Sequence, residues 1–375
     1  RFPIVHPAPR SSNGKIRVGF MSSDLRNHPV AYFALPLFQF YDRSRFEVFC
    51  YSYYQGDKAD HIQELITQSV SEFRWWKDIS DHDAAQMIAN DQLDMLIELG
   101  GSTHMNKLGV MAYKPAPLSA SWVGYPHSAG LDEIDYLFLD PYMTPDDPAL
   151  VIERPLILPK SWYALGDQAF REDPRPADQT AVERNGYVTF GTANNPYKYG
   201  AEVVRAWARV VAQTPNSRFL FVRPEGGASA FRENMLAHFA AEGVAPDRVR
   251  FEAVRGRHLP FYNEMDISLD AFPQTGGTTT CESLWMGVPV VTKVGEAVFE
   301  RLSYSVLMNA GLDDLCAGSV DDYVDVAVQL GHDHARIAEL KRTLRERLRA
   351  SSLGDTKQFA ADYYEMIRKA VAREV

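Results

Sequence analysis

Short apolar runs alternate with amphipathic stretches along most of the chain. Residues 15–22, KIRVGFMS, form a β-branched run that closes on the polar loop SDLRNHP. VAYFALPLFQFY then reads as a helix and FEVFCYSYY as a second strand. HIQELITQSVSEF and DHDAAQMIANDQ are predicted helices, LDMLIELGG a buried strand ending in glycines, and SASWVGYP and DYLFLD two further strands. Strands alternating with helices at this spacing predict a parallel, doubly wound sheet, with polar and glycine residues in the loops after the strands.

From residue 145 to about 186 the pattern fades, and Pro, Asp and Arg dominate REDPRPADQTAVERNG. The alternation then restarts with YVTFGT, EVVRAWARVVAQ, SRFLFVRP, AFRENMLAHFAAEG and RVRFEAV. LPFYNEM is a short helix, DISLDAF a strand, CESLWMG a helix and VPVVT a strand. TKQFAADYYEMIRKAVARE reads as an amphipathic helix with Phe359, Tyr363, Met366 and Ile367 on one side. The expected class is α/β: two Rossmann-like domains facing a cleft. The expected parts are an extension (1–14), a first domain (15–150), a connection (151–186), a second domain (187–350) and a C-terminal helix (351–375).

Composition narrows this little. Of 375 residues 46% are apolar and 23% charged, an ordinary globular balance, and the net charge of −10 argues against a general nucleic-acid binder. Cys50, Cys281 and Cys316 are widely spaced. They give neither a disulfide framework nor a zinc site, and they suit the cytoplasm. No apolar run approaches the roughly 20 residues of a membrane span. The chain begins at Arg1, and reads as a piece of a longer protein or a trimmed one.

The chemistry concentrates in DAFPQTGGTTTCESLWMGVPVVT, residues 270–292. A helix N-terminus offers unpaired N–H groups and partial positive charge. Gly276 and Gly277 let the backbone approach a phosphate, and the hydroxyls of Thr278, Thr279 and Thr280 add donors or cap the helix. Glu282, within the first turn or so, could accept from a ribose diol. A capped helix after a glycine turn, its acid complementing the macrodipole, fits the local pattern equally well.

The wider spacing decides between them. Asp266, Asp270, Pro273, the Gly-Gly pair, Glu282 and Gly287-Val-Pro289-Val-Val form one unit. This unit resembles the donor signature of GT-B glycosyltransferases. With NHP at 27–29, KPAPLSASWVGYPHSAG at 114–130 and GTANNPYK at 191–198, in that order, the chain resembles glycosyltransferase family 41, which includes O-GlcNAc transferase and the plant SPINDLY proteins.

That resemblance implies a GT-B fold and inverting transfer of a sugar from a nucleotide sugar to Ser or Thr hydroxyls of a protein acceptor. UDP-GlcNAc is the first donor expected and GDP-fucose, the SPINDLY-like choice, the second. It assigns Lys198 to the donor diphosphate, Asn195 to a donor contact and His28 to the acceptor side as base or orienting group. Gly277, Thr278, Thr279, Thr280 and Glu282 complete the donor cradle. Arg255 and His258 keep the spacing of a lysine and histidine that hold base and ribose, while Phe261 replaces an arginine of the animal enzymes. His104, Tyr125, Pro126 and His127 are further acceptor-side candidates, and Asp94 stands where the animal enzyme has a histidine. No metal or other cofactor is expected, nor a nucleic-acid partner. Tandem helical repeats usually precede this region in the family and select the acceptor. A sugar-nucleotide epimerase and a non-catalytic binding module are the competing classes. The tyrosines Tyr51, Tyr53 and Tyr54 and the Trp75-Trp76 pair are expected to serve packing.

Overall fold

The computed structural model describes residues 3–8, 14–166 and 174–375. Parts of the expected extension and connection, residues 1–2, 9–13 and 167–173, lie outside that description. The chain divides into two compact units, residues 1–169 with 352–375, and residues 170–351.

The first unit holds a seven-stranded sheet. Its strands are β1 (Ile16–Ser22), β2 (Phe46–Ser52), β3 (Glu72–Trp75), β4 (Met95–Glu98), β5 (Leu118–Ser121), β6 (Tyr136–Leu139) and β7 (Arg154–Ile157). Their order is β3-β2-β1-β4-β5-β6-β7, every pair parallel. Val18 pairs with Val48 on one side and Met95 on the other, all three fully buried. A parallel sheet is covered on both faces, so its central strands are continuously apolar. Polar caps start the covering helices. The Asp60 carboxylate accepts from Ile62 and Gln63 N–H at 3.0 Å, and Ser80 caps Asp81–Asn90.

The second unit repeats the plan with β8 (Val188–Thr192), β9 (Ser217–Val222), β10 (Val249–Glu252), β11 (Ile267–Leu269), β12 (Val290–Lys293) and β13 (Cys316–Ala317). The order is β10-β9-β8-β11-β12-β13, again all parallel. Trp207, Phe219, Phe221 and Phe239, all fully buried, form the aromatic centre on one face.

Four sequence expectations change. The segment 151–186 is not merely a connection, because β7 extends the first sheet and a capped helix, Ala181–Asn185, packs in the second unit. β3 went unread, being short and only partly buried. LPFYNEM forms a 3-10 helix, Leu259–Glu264, not an α-helix. The last helix, Thr356–Val371, is an integral part of the first unit. Its buried face is Phe359, Tyr363, Tyr364 and Ile367, with Tyr364 taking the place expected of Met366. Tyr364 Oη donates to Leu37 O at 2.9 Å. Tyr51 and Tyr53 are buried, Tyr51 stacks on Trp76, and Trp75 Nε1 donates to Tyr54 O, so this aromatic cluster packs as expected.

The Tyr363 ring stacks on Phe138 at 4.2 Å and meets Trp122 at 4.9 Å between centroids. Removing it leaves a cavity that its rigid neighbours cannot refill. Tyr363→Ala should cost about 3–5 kcal/mol, read as a lower midpoint in urea unfolding with an unchanged slope.

Candidate active site

In the second unit the chain leaves β8 toward β9 on one side, while β11 continues toward β12 on the other. This is the topological switch point, where open parallel sheets bind ligands beyond the strand ends. The loops after β8 and β11 meet there through Asp270, which is 1% exposed. Asp270 Oδ1 accepts from Gly276 N–H at 2.8 Å, Ala271 N–H at 2.9 Å and Asn194 Nδ2 at 3.1 Å. Thr292 Oγ1 donates to Oδ2 at 2.7 Å. Burial raises the Asp270 pKa, and these hydrogen bonds and the Lys198 charge oppose the rise.

Lys198 Nζ donates to Thr275 O at 2.6 Å and reaches Asn194 Oδ1 at 3.5 Å. Burial lowers its pKa and Asp270 pulls it back. Asn194 Oδ1 also accepts from Thr279 Oγ1 at 3.0 Å, which ties the lysine loop to the start of the Thr278–Trp285 helix. Gly276 is required there, since a Cβ would stand 2.3 Å from Thr280 Oγ1 and 3.0 Å from Asp270 Oδ1.

The expected threonine cap is not what forms. Gly277 is the N-cap, without a side-chain cap bond, and Thr278–Thr280 are the first helical residues. Thr279 Oγ1 is drawn to Asn194, and Thr280 Oγ1 pairs with Ser303 Oγ at 2.7 Å. The N–H groups of the first turn therefore receive no hydroxyl acceptor from this segment. Glu282 also lies beyond the first turn, as the fifth helical residue. Its Oε2 meets His258 Nε2 at 2.8 Å and accepts from Tyr262 Oη at 3.3 Å. That bond to Glu282 raises the His258 pKa against burial.

Lys198, Thr279, Glu282 and His258 thus join one network. Of the predicted donor residues, Arg255 and Asn195 stand outside it. Arg255 is exposed on the loop that turns His258 inward. Asn195 spends its amide oxygen on Tyr197 N–H at 3.2 Å, capping the short turn Pro196–Lys198. Asn194 occupies the network instead, and Phe261 is half-buried. Sequence reasoning missed Asn194 because only the strand register tells adjacent asparagines apart.

In the first unit the switch point lies between β1 and β4. The loop after β1 ends at His28, N-cap of the helix Pro29–Gln39, whose Nδ1 accepts from Val30 N–H at 3.3 Å. Asp24 Oδ2 stands 3.6 Å from the same nitrogen, and Arg26 Nη2 donates to Asp24 Oδ1 at 3.0 Å. Burial lowers the His28 pKa, Asp24 opposes this and Arg26 adds to it. With Nδ1 accepting, the neutral ring carries its proton on Nε2.

The loops after β4 and β5 interlock beside it. A Cβ on Gly124 would stand 2.0 Å from Leu99 O and 3.2 Å from Val30 Cγ2. Val123 adopts φ 68°, a strained value for a β-branched residue. Tyr125, Pro126 and His127 follow, half-buried, while His104 is exposed. Asp94 immediately precedes β4, at the opposite end of the strands from these loops, and its Oδ2 accepts from Arg17 N–H at 2.8 Å. Among the described residues no three of His, Cys, Asp or Glu converge as a metal would need, and no helix is long and apolar enough to cross a membrane.

Glu98, at the end of β4 and 1% exposed, accepts from Gly100 N–H at 2.6 Å and from Gly101 N–H. Burial pushes its pKa up to about 7. The folded state therefore holds this proton more tightly than the unfolded chain, and Glu98 erodes stability as pH rises from about 4.5 to about 7. Full ionisation costs roughly 3 kcal/mol. Glu98→Gln keeps an acceptor for the glycines and should flatten the pH dependence of the unfolding midpoint across that window, gaining on the wild type above pH 7.

The model of "Glycosyl transferase family 41" matches residues 1–171 and 179–363. The "Probable UDP-N-acetylglucosamine--peptide N-acetylglucosaminyltransferase SPINDLY" of Petunia hybrida is 35% identical over 350 residues, covering 91% of this chain and 37% of that protein. The SEC protein of Arabidopsis thaliana, named for the same probable activity, is 28% identical over 383 residues, 97% of this chain and 39% of that one. A mutant O-GlcNAc transferase from Thermobaculum terrenum superposes with a TM-score of 0.86 at 29% identity, covering 99% of this chain and 72% of that structure. The chain spans about two-fifths of the length of these curated relatives. Matched over nearly all its residues and built on two parallel-sheet Rossmann-like units of the GT-B kind, the chain belongs to glycosyltransferase family 41.

Proposed function

We propose that this chain is the catalytic region of an inverting glycosyltransferase that moves N-acetylglucosamine from UDP-N-acetylglucosamine to Ser or Thr hydroxyls of a protein. One observation carries the reading. The half-buried Lys198 ammonium, hydrogen-bonded to uncharged oxygens, is tied through Asn194 to a helix start capped only by glycine. A positioned cation and first-turn N–H groups together suit a diphosphate, first as ligand and then as leaving group. The printed names of the SPINDLY and SEC relatives support the donor.

In the proposed reaction the acceptor oxygen bonds to the anomeric carbon as the bond from that carbon to the diphosphate oxygen breaks. The departing nucleoside diphosphate takes the electron pair, and Lys198 offsets its charge. The hydroxyl proton passes to a base on the acceptor side, for which His28 is the candidate. To accept at Nε2 the ring must first carry its proton on Nδ1, which Asp24 favours and Val30 N–H opposes. His104, Tyr125, Pro126 and His127 complete the proposed acceptor side, and Glu282 with His258 the ribose end of the donor. No metal is proposed. The cytoplasm is the proposed compartment, suited to three cysteines outside any disulfide. Tandem helical repeats elsewhere in a longer protein would present the acceptor.

GDP-fucose is the second reading, favoured by Phe261 standing in the place of an arginine. Thermal shift with UDP-N-acetylglucosamine, UDP, GDP-fucose and GDP tests the donor. Stabilisation by the uridine compounds is expected, and stabilisation by GDP-fucose alone would overturn that donor. Product analysis without acceptor separates the classes, because an epimerised sugar nucleotide would exclude transfer. Lys198→Ala should lower the transfer rate about 100- to 1,000-fold while nucleotide binding persists, checked by single-turnover kinetics beside calorimetry. Unchanged transfer in that variant would remove the lysine from the mechanism.

A further inference from the structure

Arg223 follows the last residue of β9, one strand from the switch point of the second unit. Its backbone is fixed by Arg223 N–H donating to Glu252 O at 3.0 Å and by Gly226 N–H donating to Arg223 O at 3.0 Å. Its side chain is 28% exposed, and Nε stands 3.5 Å from Glu225 Oε2. Both of those atoms are buried and neither completes a hydrogen bond. Among the described residues the guanidinium donates no hydrogen bond. A partly buried guanidinium has five donors and a desolvation cost, so one long ion pair does not explain its position.

Its surroundings point to the nucleoside end of the donor site. Glu252, which accepts from Arg223 N–H, ends β10, and the loop after β10 carries His258. The bond to Glu282 raises the His258 pKa, and the Arg223 charge opposes that rise. His258 and Tyr262 both bond Glu282, the proposed ribose acid. The Lys198 ammonium answers instead to burial and to Asp270. The diphosphate is already served by Lys198 and the helix start. What remains beside His258 is the base.

Resting on the donor reading above, we propose that Arg223 is a specificity-determining residue whose guanidinium fork reads the hydrogen-bond acceptor edge of the nucleobase. A planar fork suits adjacent in-plane acceptors, which a lysine cannot match as a point charge. Uracil offers O4 alone and guanine offers O6 with N7, so the fork meets one acceptor of uracil and two of guanine, and the two bases differ in what it can gain.

Calorimetric titration of UDP and of GDP into the wild type, Arg223→Ala and Arg223→Lys tests this. The wild type should prefer one nucleotide. Arg223→Ala should weaken that nucleotide about tenfold or more and leave the two within about threefold of each other. Arg223→Lys should keep the charge yet fail to restore the preference, and unfolding midpoints of both variants show that the fold survives. Equal losses for UDP and GDP would place Arg223 on the diphosphate and overturn the proposal. Unchanged affinities would make it a structural partner of Glu225, which overturns it too, as would a wild type without preference. A wild type that binds neither nucleotide overturns the donor reading itself, and this inference with it.

Discussion

The second unit is organised around one buried carboxyl group. The Asp270 side chain ties the loop after β8, through Asn194, to the glycine turn after β11, through Gly276, and to β12, through Thr292. Its backbone oxygen accepts from Trp207 Nε1 at 3.2 Å and Tyr323 Oη at 2.9 Å, from the helices Ala201–Gln213 and Val320–His332. Three strands' ends and two covering helices therefore converge on one residue. A carboxylate at this depth survives only when most of its lone pairs are met, and four donors meet them. The start of the Thr278–Trp285 helix, the position of Thr279 and the environment of Lys198 are consequences of that arrangement.

The first unit solves the same problem with a different acid. Glu98 ends the strand at its own switch point and takes the N–H groups of the glycines that follow. Both units thus turn the chain sharply after a buried strand by giving glycine N–H groups to a carboxylate of that strand end. The two sites differ in what balances the charge. Asp270 has Lys198 and the Thr292 hydroxyl, whereas Glu98 has backbone donors alone and is held near neutrality. Its turn leads to the strained, interlocked loops that carry Tyr125 and His127, beside the loop of His28.

Much of this was legible in the sequence, because parallel strands are buried on both faces and announce themselves as apolar runs. The motifs flanking Gly276 and Lys198 marked the right loops. What was not legible depended on partners far along the chain. The face of the last helix carried no address, and only Leu37, Trp122 and Phe138 show where it docks. β3 and β7 are short strands of mixed exposure, so alternation did not mark them. Local rules assigned the threonines to a cap, but Asn194 and Ser303 compete for the same hydroxyls from distant loops. Arg223 looked like any polar residue closing a strand, and only its buried Nε, without a hydrogen-bond partner among the described residues, sets it apart.

Lys198 and His28 pose the same electrostatic problem, each within its own unit. Each is held where burial disfavours its charged form, and each has one acid nearby. For a lysine meeting a diphosphate this is productive. Partial desolvation lowers the effective dielectric around the ammonium, and Asp270 opposes the resulting fall in its pKa without contacting Nζ directly. The ammonium's hydrogen bonds to Thr275 O and Asn194 Oδ1 involve neutral acceptors, so an incoming anion faces no competing carboxylate at that nitrogen. At His28 burial lowers the imidazole pKa, and Asp24 opposes this at the nitrogen that also accepts from Val30 N–H. Burial thus works against the charged form at both residues, and in each unit one carboxylate opposes it.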